Sequence, residues 1–517
     1  MKMLVAARPG QRALIFGLAV ASLCLASTRA SAAFDLDDVA KRAHELASKD
    51  FEDRSRSIPQ WLLEISYDQW RDIRFRPDQS HWRSAGLPFE LQFFHCGLFY
   101  DRSVKMNEID AEGVHPIAFS PNLFHYGKND FGSRIPQDLG FAGFRVHYPI
   151  NKQAYKDEVI VFVGASYMRA VAKDLHFGMS ARGLAVDTAM PSGEEFPYFR
   201  EFWLVRPTKT ATDLVIYALL DSQRVTGAYK FVVSPGVTTK VAVESRIFSR
   251  QPIEKLGIAP LTSMFYCGEG ASRCGDDYRP EIHDSDGLLL HMGSGEWLWR
   301  PVVNPQRLSV NSFFTANPKG FGLLQRDRDF DHYQDIETNA EKRPSVWVVP
   351  KGDWGAGHVE LVQIPTVDDT NDNIVAYWVP SAQITPKNPM SFAYDLLWTT
   401  DDPRTREKQQ AGRVESTRVD SRVEAEHTKD TVRFTIDFES TELAKLPADT
   451  VLRGAVATMG GDEGYGIVEQ QVLKIPATNG WRLVFRVPKA RRPIELRAYL
   501  DQGGKPLTET WTYTLEP

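Results

Sequence analysis

Apolar residues recur along this chain in two rhythms, and the second dominates. The segment FDLDDVAKRAHELASKDF (34–51) spaces Val39, Ala43, Leu46 and Ala47 at helical intervals. Asp35, Asp37 and Asp38 sit where a helix N-terminus favours negative charge. Beyond it the pattern shortens to alternating runs bounded by Gly, Pro, Asn and Asp, such as FELQFFHCGLFY, EVIVFVGASYMRAVA, DLVIYALL, GHVELVQIP and NIVAYWVP. Period-two runs with such punctuation predict an all-β protein of sandwich type. The rhythm breaks between Trp398 and Val414, where TTDDPRTREKQQAGR has no apolar face and reads as a linker or exposed loop. The runs that follow, from TVRFTIDF to TETWTYTLEP, fit a small immunoglobulin-like sandwich without a disulfide. The expected organisation is a large β-sandwich over 34–400, a linker over 401–412 and a small sandwich over 413–517.

The amino terminus sets the compartment. Lys2, Arg8 and Arg12 precede the apolar run Leu14 to Ala26, and Ala30-Ser31-Ala32 follows. That order is a secretory signal of the general, non-twin-arginine kind over residues 1–32, too short for a membrane span. Its removal takes four basic side chains, so the net charge of −6 becomes about −10. An acidic exported chain is a poor partner for nucleic acid. In an oxidising compartment Cys267 and Cys274 form a local disulfide, and Cys96 is left as a buried thiol.

Chemistry concentrates between residues 281 and 378. TVDDTNDNIVAYW (Thr366 to Trp378) sets five acidic or amide side chains in front of a strand. It lacks the Gly and Glu of a calcium-binding loop at the required spacing, and no zinc-type His/Cys cluster occurs anywhere, so neither metal nor cofactor is expected. GASYM (164–168) lacks the second glycine of a nucleophile elbow. Carboxylates fare better: His283, Asp284, Asp286 and Glu296 surround Trp297 and Trp299. Arg326, Tyr333, Arg343, Trp347 and Trp354 follow among further acids. Such a mixture suits a polysaccharide cleft, where carboxylates move protons and aromatic faces hold sugar rings. From spacing alone, a set of solvated loop charges explains it equally well.

The blocks DLGFAGFRV (138–146), GASYMRAV (164–171), GMSARGLAVDT (178–188), PSGEEFPYFREFW (191–203), RPEIHDSDGL (279–288), GEWLWRP (295–301), NPKGFGLLQRDRDF (317–330) and TNDNIVAYW (370–378) resemble the periplasmic glucan biosynthesis proteins G and D. The resemblance leans to type G, although the Cys267/Cys274 pair and HDSDGL look more like type D. It implies a galactose-mutarotase-like sandwich joined to an immunoglobulin-like one. It also implies a periplasmic role in making glucans with a β-1,2-linked backbone, as an inverting endo-β-1,2-glucanase, a transglycosylase, or a non-catalytic scaffold. The scaffold would serve β-1,6 branching or export by a membrane glucan synthase. On the motif positions, Asp372 becomes the general acid and Asp284 the general base acting through water. His283 and Asp369 are candidate supports, Asp369 standing where the family carries Glu. The remaining candidates for sugar contact are Trp297, Trp299, Arg326, Tyr333, Arg343, Trp347 and Trp354. Burial, or the neighbouring acids Asp368 and Asp369, is expected to keep Asp372 protonated, and a homodimer that completes the cleft is compatible with the fold.

Overall fold

The computed structural model describes residues 34–53, 58–270, 274–406, 411–421, 429–460 and 465–517; the leader expected over 1–32 lies outside them. Two large antiparallel-rich sheets make the main sandwich. One has ten strands, with Glu90–His95, Phe141–Lys152, Tyr155–Val163, Tyr167–Ala170, Ser180–Arg182, Leu256–Ser263, Ile374–Pro380, Ala356–Gln363 and Ser309–Ala316 lying side by side in that order. The other has fifteen strands and faces it. Alternation decides which side chains enter the core between them. Phe144 and Phe162 of the first sheet meet Phe202 and Phe231 of the second, with ring centroids 5.0–5.5 Å apart. Meanwhile Tyr167 and Arg169 point to the opposite, outer face, because Met168 and Ala170 between and beside them are buried.

The helix Leu36–Ala47 forms where expected. Its Asp35 N-cap closes a capping box with Asp38. Its buried stripe is Leu36, Val39, Ala40 and Ala43, which packs on Trp203, Tyr217, Leu219 and Ala228 at the back of the fifteen-stranded sheet.

The carboxy-terminal strands form a second, smaller sandwich, but it is not hung on a free tether. Its strand Thr510–Leu515 pairs in parallel with Trp297–Pro301, so that the fifteen-stranded sheet runs through both sandwiches. A four-stranded sheet, Arg413–Asp420, Thr431–Glu439, Trp481–Pro488 and Glu469–Lys474, covers the other side. The polar stretch read as a linker is packed over its first half: Arg404 is buried, held by Asp402 and by Glu509 at 2.9 Å. Charge pairing, which hydrophobic periodicity cannot register, overrides the expectation of an exposed loop. Glu509 is itself fully buried and also receives both terminal nitrogens of Arg326, at 2.8 and 3.2 Å.

One buried carboxylate thus bridges two buried guanidinium groups, of which Arg404 has a second partner in Asp402. Glu509→Ala leaves Arg326 without a carboxylate and should lower stability by about 3–5 kcal/mol, read from urea unfolding by tryptophan fluorescence. A change below about 1 kcal/mol would mean that water reaches the pair.

Candidate functional site

The site is assembled at the end of the strand Leu256–Ser263, which lies between Ser180–Arg182 and Ile374–Pro380. Beyond its last pairs, the Ser263 carbonyl accepts the Asn373 N–H at 3.0 Å, and the next carbonyl, of Met264, accepts the Asp284 N–H at 2.8 Å. The buried Asn373 amide extends this seam: its Oδ1 accepts the Phe265 N–H (2.7 Å), and its Nδ2 donates to the carbonyls of Phe265 and Ile364 (3.0 and 2.9 Å). A side-chain amide therefore imitates one more residue of strand pairing, a use that only Asn or Gln can serve with both donor and acceptor. Consecutive backbone carbonyls thereby bring Asp372, exposed at its strand's mouth, and Asp284, buried, to one end of the sheet.

Asp284 feels the charge of Asp372. Burial raises the pKa of Asp284, Arg343 opposes that rise, and the negative charge of Asp372 adds to it. The net direction is upward. Arg343 Nη1 lies 2.5 Å from Asp284 Oδ1 and donates also to the His283 carbonyl at 3.3 Å. Gly178 is required beside it, since a Cβ there would sit 2.9 Å from the Arg343 Cβ.

A groove of about 390 Å³ runs over the outer face of the ten-stranded sheet, lined by Phe94, Tyr100, Glu158, Tyr167, Arg169 and Phe177 among others. Arg169 donates to the Ser180 hydroxyl at 2.9 Å, and its charge reaches Asp284. Burial raises the pKa of the Tyr167 phenol, Arg182 opposes this, and Asp372 adds to the rise, so this groove residue lies within reach of the Asp372 charge. Tyr167 and Arg169 are site residues that the sequence reading passed over. Their signal was the alternation of SYMRAV, which points two polar side chains away from the core.

His283 lies behind the site, fully enclosed. Nε2 is 2.8 Å from Glu281; Nδ1 is 3.2 Å from Gln325 Oε1 and 3.5 Å from Asp286. Burial disfavours its charge, yet Asp286, Glu281 and Asp327 outweigh it and raise the imidazole to about 9. Ligating atoms of Glu281, His283, Asp286 and Asp327 lie within 4.8 Å of one another. With acceptors at both ring nitrogens, the histidine is arranged as an internal cation. Because the folded pKa stands above the ordinary 6.5, the stabilisation is complete below about pH 6.5 and is lost as pH rises through about 9. Urea midpoints at pH 6, 7.5 and 9 should therefore decline in the wild type more steeply than in His283→Gln; parallel declines would exclude His283 as their source.

The other expected residues divide by burial. Trp297, Trp299 and Trp347 belong to the core shared by the two sandwiches, and Trp354 to the main core, so none offers an open face to a sugar. Arg326 stacks on Trp299, its guanidinium carbon 3.5 Å from the ring centroid, and spends its donors on Glu509 and the Val414 carbonyl. Tyr333 is buried and donates to the Asp327 carbonyl at 3.2 Å. Glu296 pairs with Arg497 in the small sandwich. The acid cluster before the strand also separates. Asp368 accepts the Thr370 N–H as a turn residue, and Asp369 is paired with Arg279 at 3.1 Å. Cys267 and Cys274 form the expected disulfide, with Cα atoms 5.4 Å apart, and Cys96 is a buried free thiol.

Comparison with known proteins matches this chain, over residues 34–515, to the family model described as periplasmic glucan biosynthesis protein, MdoG. Among curated relatives, the glucans biosynthesis protein G of Ralstonia nicotianae (strain ATCC BAA-1114 / GMI1000) is 50% identical over 507 residues, covering 97% of this chain and 99% of that protein. With its all-β sandwich and near-complete alignment, the chain belongs to the MdoG family of periplasmic glucan biosynthesis proteins.

Proposed function

We propose that this protein serves glucan biosynthesis in the periplasm by acting on a β-1,2-linked glucan backbone, as an inverting endo-β-1,2-glucanase or transglycosylase. What supports the reading is the seam at Ser263 and Met264, which ties the chain beside Asp372 and the backbone of Asp284 to the same end of one strand. Inversion requires one carboxyl group to protonate the departing glycosidic oxygen and another to accept a proton from the attacking hydroxyl. Asp372, exposed at the start of its strand, has the access that a donor needs. Asp284 is recessed and acts as base through intervening water, its ionised form paired with Arg343. An attacking water gives hydrolysis; a sugar hydroxyl in its place gives transfer. In this reading Arg169, Tyr100, Tyr167 and Phe94 hold the chain.

Purified protein incubated with linear β-1,2-glucan between pH 4 and 8 should shorten it or form new linkages, and proton NMR of the first product should show the inverted anomer. Asp372→Asn and Asp284→Asn should each lose roughly 10²- to 10⁴-fold in rate. Glucan binding without any change in the chain would favour the scaffold reading instead. Arg343 supplies a separate check. Arg343→Gln removes the cation that opposes Asp284 protonation, so the base takes up its proton at higher pH and the acidic limb of the rate profile moves upward. An unmoved limb would show that another group governs it.

A further inference from the structure

We propose that Arg279 is a positioning residue that couples the two arms of the site, holding the Asp372 loop and the Arg343 segment in one geometry. The inference rests on the acid and base reading above. The Arg279 side chain is four-fifths buried and faces three carboxylates from three separate stretches of chain. Nε and Nη2 donate to Asp277 at 3.0 and 2.8 Å, which fixes the guanidinium plane. Nη2 also donates to Asp369 at 3.1 Å, and Nη1 to Asp335 at 3.4 Å. Planarity makes the fork rigid, so two carboxylates bound to it are held at a set separation.

Each contact leads to a different half of the site. Asp369 stands at the apex of the loop whose ends are pinned at Thr366, paired with Asn304, and at Asn373, paired with Phe265. Asp372 lies within that loop. Asp335 in turn starts a series of turns. It accepts the N–H groups of Glu337 and Thr338 (both 3.0 Å), its carbonyl accepts the Asn339 N–H, and the Ala340 carbonyl accepts the Arg343 N–H. Arg343 then holds Asp284. A second path from acid to base, beside the backbone seam at Ser263 and Met264, thus passes through one guanidinium. Asp369, one methylene shorter than Glu, still reaches it because Arg279 comes from the chain just beyond the Cys267–Cys274 disulfide, close over the site.

The test compares Arg279→Gln, Arg279→Lys and Asp369→Asn in the full protein, with steady-state kinetics on linear β-1,2-glucan and amide hydrogen exchange. Arg279→Gln should lower kcat by roughly 10- to 100-fold with KM nearly unchanged, since binding survives while alignment is lost. Arg279→Lys should recover part of the rate, and Asp369→Asn should reproduce the loss without adding to it in the double variant. Exchange should rise in both 366–373 and 335–343. Wild-type kcat in Arg279→Gln, or exchange raised in one segment alone, would overturn the coupling. Should the wild type leave glucan untouched, the acid and base reading falls, and exchange alone then decides the clamp: a rise in both segments sustains it and no change ends it.

Discussion

The end of the strand Leu256–Ser263 governs what this molecule can do. Two successive carbonyls there turn to opposite sides, one toward the loop before Ile374 and one toward the segment after His283. A backbone hydrogen bond is short and directional, and an unpaired buried carbonyl is costly, so this junction tolerates little displacement. The candidate acid and base are both referred to it. Asp372 follows from Asn373, Asp284 from Met264, and Arg343 from Asp284. A change in the registers of the ten-stranded sheet would separate the carboxylates without touching either.

Around that junction, charges are arranged by depth. Near the groove mouth they are exposed or half-exposed and share few partners, as with Arg169 and Asp372. Deeper in, Asp284 is paired with a single arginine. Behind both, His283 balances Glu281, Asp286 and Asp327, with His332 on the far side of Asp327 at 3.1 Å. Further still, Glu509 binds two arginines where the sandwiches meet. Exposed charge thus stands toward the surface at Asp372 and Arg169, while buried, multiply paired charge stands where the scaffold must not move.

Much of this was legible in the residues, for identifiable reasons. Helical spacing exposed Leu36–Ala47, and alternation exposed the strands, because both patterns report burial directly. The family blocks singled out Asp372 and Asp284 among many acids. Density of Trp, Arg and Asp between 281 and 354 misled, because a buried Arg326–Trp299 stack with its carboxylate has the same composition as a sugar cleft. Composition does not record which way a side chain faces. Nor could spacing pair Arg279 with Asp369, ninety positions away, or reveal that Arg404 in a polar stretch is buried against Glu509.

The pairing of Thr510 and Trp511 with Leu298 and Trp299 has a consequence in time. Until the last eight residues of the chain are available, the strand Trp297–Pro301 keeps one open edge, and the tryptophans beside it lack their cover. An open apolar edge recruits other strands. Contacts that span more than two hundred positions also form slowly. A chain that emerges amino-terminus first during synthesis therefore cannot finish its main sheet on the way. It must remain incomplete, and in need of protection from its neighbours, until its final strand has arrived.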